Sequence, residues 1–157
     1  MEELRTGLLA LHSGHPADAV PHLELAQRQL PVGEARMLAL FALGKAHQGG
    51  QEQSAAAKQV YEQVLALPTG EGSYFSQLAL LELGHDAERR GDLAEARRSY
   101  ERAAALEGPL QAEALLAVAR VLDTAAEHTT AVSYYDKFLE AYPNSPLAEV
   151  VRQKVGK

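Results

Sequence analysis

The chain has 157 residues, of which 46% are hydrophobic and 23% charged, a composition typical of one packed domain or one short repeat array rather than of a disordered chain. Its formal net charge of -6 disfavours a nucleic-acid-binding surface and attraction to anionic lipid. Cysteine is absent, which excludes disulfides, thiolate metal ligands and a cysteine nucleophile.

The first predicted helix pair covers residues 3–31 and opens with MEELRTGLLALHSGHP. This stretch has no basic segment followed by an apolar core, so we expect no signal peptide. No apolar run in the chain approaches the ~20 residues that a membrane span needs. His12, His15 and His22 lie in or just after the turn, without a carboxylate or cysteine at ligand spacing, so we interpret them as solvated residues rather than as a metal site.

One spacing recurs in four segments along the chain, and it predicts the second helix of each pair. A small alanine is followed four residues later by a larger side chain and three residues after that by a third anchor, which places all three on one helical face. The four sets are Ala19, Leu23 and Ala26; Ala57, Tyr61 and Val64; Ala96, Tyr100 and Ala103; and Ala131, Tyr135 and Phe138. Each segment runs into a helix stop, at Pro31, Pro68, Gly108-Pro109 or Pro143.

The preceding helix of three pairs carries a small residue in its apolar stripe, namely Gly44, Gly84 or Ala119. A mid-helix glycine costs about 0.5–1 kcal/mol relative to alanine, so it needs a compensating contact. We interpret the small residue as the point where the two helices of a pair cross closely.

The complete pattern predicts helix pairs over 3–31, 37–68, 77–109 and 112–143. Extra residues at LPVGEARM and LPTGEGSYF predict lengthened connections between pairs. The tail over 145–155 has the spacing of one more helix, with Leu147, Val150 and Val151 placed to dock on the fourth pair. It is interpreted as a capping helix; the alternative is that the chain is cut from a longer array.

These pairs resemble the tetratricopeptide repeat (TPR) family of helix-turn-helix units of about 34 residues. The resemblance is best over 77–109 and covers nearly the whole chain. It implies an all-α, right-handed superhelix in a single domain, closed by the capping helix. The end of the chain, AVSYYDKFLEAYPNSPLAEVV, is similar to repeats of bacterial envelope TPR proteins, which favours a periplasmic or membrane-tethered location over a cytoplasmic one.

The resemblance also implies function: a non-catalytic scaffold that binds a protein or peptide in the concave groove formed by the first helices, and so helps assemble a multiprotein complex. Apolar groove residues are expected near the N-terminal helix ends and polar ones further along. The alternative for these residues is an ordinary solvated groove with scattered apolar side chains. The candidate groove residues are Phe41, Lys45, Gln48, Leu78, Leu81, His85, Glu88, Arg89, Leu116, Arg120 and Asp123.

No pattern indicates catalysis, a cofactor or a metal. The two glycines of HQGGQEQ lack the lysine and hydroxyl residue of a phosphate-binding loop. Serine, histidine and aspartate occur, but nothing in their order indicates a triad. The alternative function is a self-associating or chaperone-like module that works through its ends and its convex face, as a possible homo-oligomer.

Overall fold

The computed structural model describes residues 1–48, 51–68 and 74–156, with the backbone alone at 51–54. All regular structure in these ranges is helical, which confirms the all-α prediction. The helices are α1 (Glu2–His12), α2 (Pro16–Gln29), α3 (Glu34–Ala46), α4 (Gln51–Ala66), α5 (Tyr74–Arg89), α6 (Leu93–Ala105), α7 (Gln111–Thr124), α8 (His128–Ala141) and α9 (Ala148–Val155).

The chain divides into two compact units, and the boundary between them falls within α5. The first unit, Met1–Ala79, contains α1 to α4 and the start of α5. The second unit, Leu80–Lys157, contains the remainder of α5 and α6 to α9.

Close crossing of paired helices organises the first unit. A side chain on Gly7 of α1 would place its Cβ 2.6 Å from Cγ of Leu23 on α2. A Cβ on Gly44 of α3 would lie 2.5 Å from the Tyr61 ring on α4. Leu23 and Tyr61 are almost completely buried, so neither has room to retreat. The predicted reason for the mid-helix glycines is confirmed here: each lets a larger side chain of the partner helix approach the backbone.

The second unit repeats this arrangement. A Cβ on Gly84 of α5 would overlap three ring atoms of Tyr100 on α6, and Tyr100 is fully buried. In the next pair the small residue is Ala119 of α7, also fully buried. The core is completed by Phe138 of α8 and by Val151 of α9, which is 5% exposed. The docking predicted for the tail is therefore confirmed for Val151, whereas Leu147 and Val150, predicted to dock with it, are exposed.

A tight turn joins α5 to α6 and a similar one joins α7 to α8. Gly91 has φ 76°, and its N–H donates to the Glu88 carbonyl over 2.9 Å. Ala126 takes the corresponding place in the later turn with φ 61°, and its N–H donates to the Asp123 carbonyl over 3.1 Å. Left-handed backbone costs an L-residue roughly 1–2 kcal/mol, whereas glycine adopts it without strain. The turn before α8 therefore holds Ala126 in a strained left-handed conformation that glycine would adopt more easily.

Two predicted connections fall partly outside the described residues. The lengthened loop LPTGEGSYF includes residues 69–73, and the turn GGQEQS begins with residues 49–50. Across the described part of the chain, the helices are too short or too polar to cross a membrane.

Candidate functional site

A carboxylate at the end of α5 joins three helices of the second unit. Glu88 accepts a hydrogen bond from the Tyr100 hydroxyl of α6 at 2.5 Å. It also accepts two from the Arg120 guanidinium of α7, from Nη1 to Oε1 and from Nη2 to Oε2, the latter at 2.9 Å. This bidentate geometry fixes the plane of the guanidinium as well as its position.

The protonation of this first cluster follows from its contacts. Burial opposes ionisation of Glu88, but the hydrogen bonds from Arg120 and Tyr100 outweigh burial, so the pKa of Glu88 is lowered. Burial, the bond to Glu88 and the charge of Glu88 together raise the pKa of Tyr100. The hydrogen bond to Glu88 likewise raises the pKa of Arg120. The cluster therefore holds a carboxylate, a neutral hydroxyl and a cation at neutral pH.

A second cluster of the same design lies one helix pair further along the chain. Asp123 of α7 accepts from the Tyr135 hydroxyl of α8 at 2.8 Å. The ammonium group of Lys154 on α9 lies 2.9 Å from the same carboxylate, and His128 contributes a contact at 3.2 Å. Burial opposes ionisation of Asp123, but the bonds to Lys154, His128 and Tyr135 outweigh it and lower its pKa. Hydrogen bonds to Tyr135 and Asp123 raise the pKa of Lys154.

The two clusters share one rule of placement. Each carboxylate lies four residues after the small residue of its helix: Glu88 after Gly84, and Asp123 after Ala119. The tyrosine whose ring packs in the core of the pair reaches that carboxylate with its hydroxyl. A cation from the following first helix completes the cluster. The same close crossing that packs a helix pair thus also positions a cation on the next one.

These cations border a cavity of about 690 Å³ in the second unit, which we call the C-terminal cavity. Side chains of α7 and α9 form its principal walls, α8 adds Tyr135 and Phe138, and α5 adds His85 alone. Apolar groups provide most of its surface. Val150 is 62% exposed and Leu147 51% exposed. Its lining includes His85, Glu113, Leu116, Arg120, Leu147, Val150 and Lys154.

The C-terminal cavity brings together three of the predicted groove residues, His85, Leu116 and Arg120. Glu88 and Asp123 do not line it; they hold the bordering cations Arg120 and Lys154.

Two further predicted groove residues of α5, Leu81 and Arg89, do not line the C-terminal cavity. Leu81 is 3% exposed and offers almost no surface to a partner. Arg89 donates to Asp86 within α5, at 2.9 Å.

The remaining predicted residues lie in the first unit. Phe41, Lys45, Gln48 and Leu78 are all partly exposed. The Phe41 ring packs 5.7 Å from the ring of Tyr61, measured between centroids. The place of these four residues in a partner-binding surface stays a prediction.

Sequence reasoning missed the contribution of α9 to the cavity. Leu147, Val150 and Lys154 follow Glu113, Leu116 and Arg120 by 34 positions each, which is the repeat length. Extending the inward stripe of α7 by one repeat identifies all three, whereas the prediction of a capping helix assigns the tail no part in the groove.

A second apolar cavity lies in the first unit, with a volume of about 880 Å³. Its walls come mainly from α1, with one residue of α3, and they include Leu4, Leu8, Leu9 and Leu38. Leu9 is 57% exposed and Met1 is 78% exposed. In the same unit, Nδ1 of His22 lies 2.6 Å from Oε2 of Glu3, so His22 is paired with a carboxylate rather than only solvated as predicted. Throughout the described residues, no group of three or more histidine, aspartate or glutamate side chains is arranged to hold a metal ion.

Comparison with protein families supports the repeat assignment. Residues 81–146 match a model described as tetratricopeptide repeat, and residues 38–68 match a second model with the same description. No curated protein sequence matches the chain.

Solved structures show the same fold. The crystal structure of MamA superposes with a TM-score of 0.70 at 24% identity, over 88% of this chain and 75% of that one. A putative kinesin light chain of Podosopora anserina, with nearly identical TPR-like repeats, gives 0.69 at 18% identity, over 96% of this chain and 81% of that one. A variant of that kinesin light chain gives 0.69 at 17% identity, over 96% and 80%. At these identities the likeness concerns the fold alone.

Proposed function

Because the chain belongs to the tetratricopeptide repeat family, whose repeats generally serve protein–protein interaction, we propose that it is a non-catalytic scaffold that binds a protein partner through the C-terminal cavity. In this role it would hold its partner within a multiprotein complex. The observation that carries the proposal is the exposure of Leu147 and Val150 beside positioned cations in one concave site.

Exposed aliphatic side chains that converge in a cavity are the feature that requires explanation. Single exposed apolar residues are normal on a protein surface, but contiguous ones bordered by polar groups mark interaction sites. In the C-terminal cavity Leu116 of α7 lies with Leu147 and Val150 at α9, and charged groups border all three. A partner side chain placed there would remove this apolar area from water, which stabilises the complex by about 25 cal/mol for each Å² buried.

Affinity capture from the source cell tests the proposal, with bound proteins identified by mass spectrometry. Val150→Asp places a charge in the cavity at a position that is already 62% exposed, so the fold should persist. Val132→Asp is the matched control, because Val132 is 39% exposed on α8 and does not line the cavity. We expect wild type and the control to capture a common partner that Val150→Asp loses. Equal capture by all three proteins would reject the cavity as the binding site.

Self-association is the second candidate function, and the exposed apolar surface of α1 favours it. Met1 and Leu9 are exposed and line the cavity of the first unit, so a second copy of the chain could cover them. Sedimentation over a range of protein concentrations tests this candidate. A concentration-dependent oligomer that Leu9→Asp converts to monomer would support it, whereas a monomer at every concentration would remove it.

A further inference from the structure

We infer that α9 is a detachable helix: it undocks from α7 and α8 as one segment while the rest of the second unit stays folded, and Asp123 controls how often this happens. The consequence for binding rests on the proposed function, because α9 and the residue before it contribute Leu147, Val150 and Lys154 to the C-terminal cavity. Undocking of α9 removes this wall, so the cavity exists only while α9 is docked.

The helical structure of α9 depends on its docking. It has eight residues, whereas an isolated helix shorter than ~12–15 residues is marginal in water. The connection from α8 contains Pro143 and Pro146, which have no backbone N–H to donate, so α8 cannot continue into α9 as one helix. Loss of α9 therefore leaves the backbone hydrogen bonds of α8 in place.

The core helices are anchored by more side chains than α9 is. Two residues of α9 are buried, Ala148 and Val151, whereas α7 has seven buried residues. A segment with few buried apolar contacts opens at a lower free energy than the helices of the core. We therefore expect α9 to undock far more often than the whole unit unfolds.

An ion pair adds a contact that joins α9 to both neighbouring helices. Oδ2 of Asp123 on α7 lies 2.9 Å from Nζ of Lys154 and accepts the Tyr135 hydroxyl of α8 at 2.8 Å. The Lys154 ammonium also lies 5.2 Å from the centroid of the Tyr135 ring, a cation–π contact. Asp123 does not line the cavity, so it acts as a positioning residue that holds α9 through Lys154.

Binding in the cavity and docking of α9 are then linked. A partner side chain in the cavity would contact Leu116 of α7 together with Leu147 and Val150 at α9. A partner that binds only the docked form holds α9 in place by mass action. Conversely, undocking of α9 dismantles the site without unfolding the helix pairs.

Thiol labelling of single-cysteine variants tests the inference, because the chain has no cysteine of its own. Val151→Cys reports on the docking of α9, and Val118→Cys is the matched control, since Val118 is fully buried on α7. In native buffer a disulfide reagent should label position 151 about 100-fold faster than position 118. Low concentrations of urea should hardly change the rate at position 151, because undocking exposes little surface. Equal rates at the two positions would overturn the inference.

Charge-removing substitutions in these cysteine proteins test the role of Asp123. Asp123→Asn and Lys154→Gln should each accelerate labelling at position 151 by about two- to fivefold, as expected for a half-exposed ion pair. Neither should change labelling at position 118, which a general loss of stability would accelerate. Lys137→Gln is the matched control, because Lys137 is exposed on α8 outside the cavity, and it should change neither rate. Labelling at position 151 that is indifferent to both substitutions would refute the role of Asp123.

Amide hydrogen exchange makes the same comparison on the unmodified chain. The N–H groups of α9 from Val151 onward should exchange about 100-fold faster than those in the middle of α7 and α8. Equal protection of the three helices would overturn the inference even if the cysteine variants fail to fold. Neither measurement involves a partner, so failed capture would reject the proposed function without deciding whether α9 detaches.

Discussion

Substituting Gly84 by alanine should destabilise the second unit, although alanine is the better helix former. On an exposed helix this change would stabilise by about 0.5–1 kcal/mol. Here the new Cβ would overlap three ring atoms of Tyr100, whose side chain is fully buried and whose hydroxyl is bound to Glu88. The ring is rigid, so the helices must separate or the tyrosine must shift.

The expected magnitude follows from the balance of these effects. Overpacking of a filled core costs about 1–3 kcal/mol, and weakening a hydrogen bond to a charged group costs part of a further ~1.5–3 kcal/mol. After the propensity gain is subtracted, we expect a net loss of about 2 kcal/mol in the free energy of unfolding. Urea unfolding followed by far-UV circular dichroism measures it. Because repeat proteins can unfold in more than one step, the curves should be fitted with two transitions where one is insufficient.

Making Gly84→Ala in a protein that already lacks the Tyr100 ring tests whether the close approach of that ring causes the destabilisation. In Tyr100→Ala, which itself removes a buried ring, Gly84→Ala meets no aromatic group and should stabilise by about 0.5–1 kcal/mol. The sign of the same substitution therefore reverses between the two backgrounds. If Gly84→Ala stabilises the protein that retains Tyr100, the explanation of the mid-helix glycine is refuted.

Three further outcomes follow from the described contacts. Ala126→Gly should stabilise the protein by about 0.5–1 kcal/mol, as measured by urea unfolding. Ala126 has φ 61°, and the relief of this left-handed strain exceeds the entropy that glycine adds to the unfolded chain. A loss of stability would show that the turn is unstrained. Folding lowers the pKa of Glu88 from its ordinary value of 4.5 and that of Asp123 from 3.8. Each carboxylate therefore stabilises the fold fully at pH values above its ordinary pKa. This stabilisation is lost as the pH falls from the ordinary pKa through the lower pKa of the folded state. Thermal unfolding at a series of pH values should show this loss, and it should be smaller in Glu88→Gln; an unchanged profile in that variant would exclude Glu88 as a source. A double-mutant cycle of Glu88→Gln with Arg120→Gln should give a favourable coupling free energy of about 0.2–1 kcal/mol. The coupling is small because the Arg120 side chain is half exposed and solvent screens its charge. Zero coupling would mean that the ion pair adds nothing to stability.

The fold could be predicted because each helix pair carries its own local pattern. A small residue on the first helix and a bulky one on the second indicate a close crossing, and the structure has this contact at Gly7, Gly44 and Gly84. These contacts join helices that are neighbours in sequence, so periodicity and stop residues are sufficient to locate them.

The site was less predictable because its contacts cross from one pair to the next. Arg120 was recognised as an inward cation, but its partner Glu88 lies 32 residues earlier on another helix. Leu81 and Leu116 occupy similar positions in their helices, yet only Leu116 retains partial exposure, because exposure depends on what neighbouring helices cover. The sequence stripe identifies the face of a helix, but it does not specify how much of that face remains open.

Site-specific photo-crosslinking tests the central claim most directly. A photoreactive amino acid replaces Val150 in one protein and Val132 in another, and each is irradiated in lysate of the source cell before the crosslinked proteins are identified by mass spectrometry. The proposed function predicts a discrete adduct with another protein from position 150 and none from position 132. Adducts that form equally at both positions, or only at position 132, would contradict binding in the C-terminal cavity.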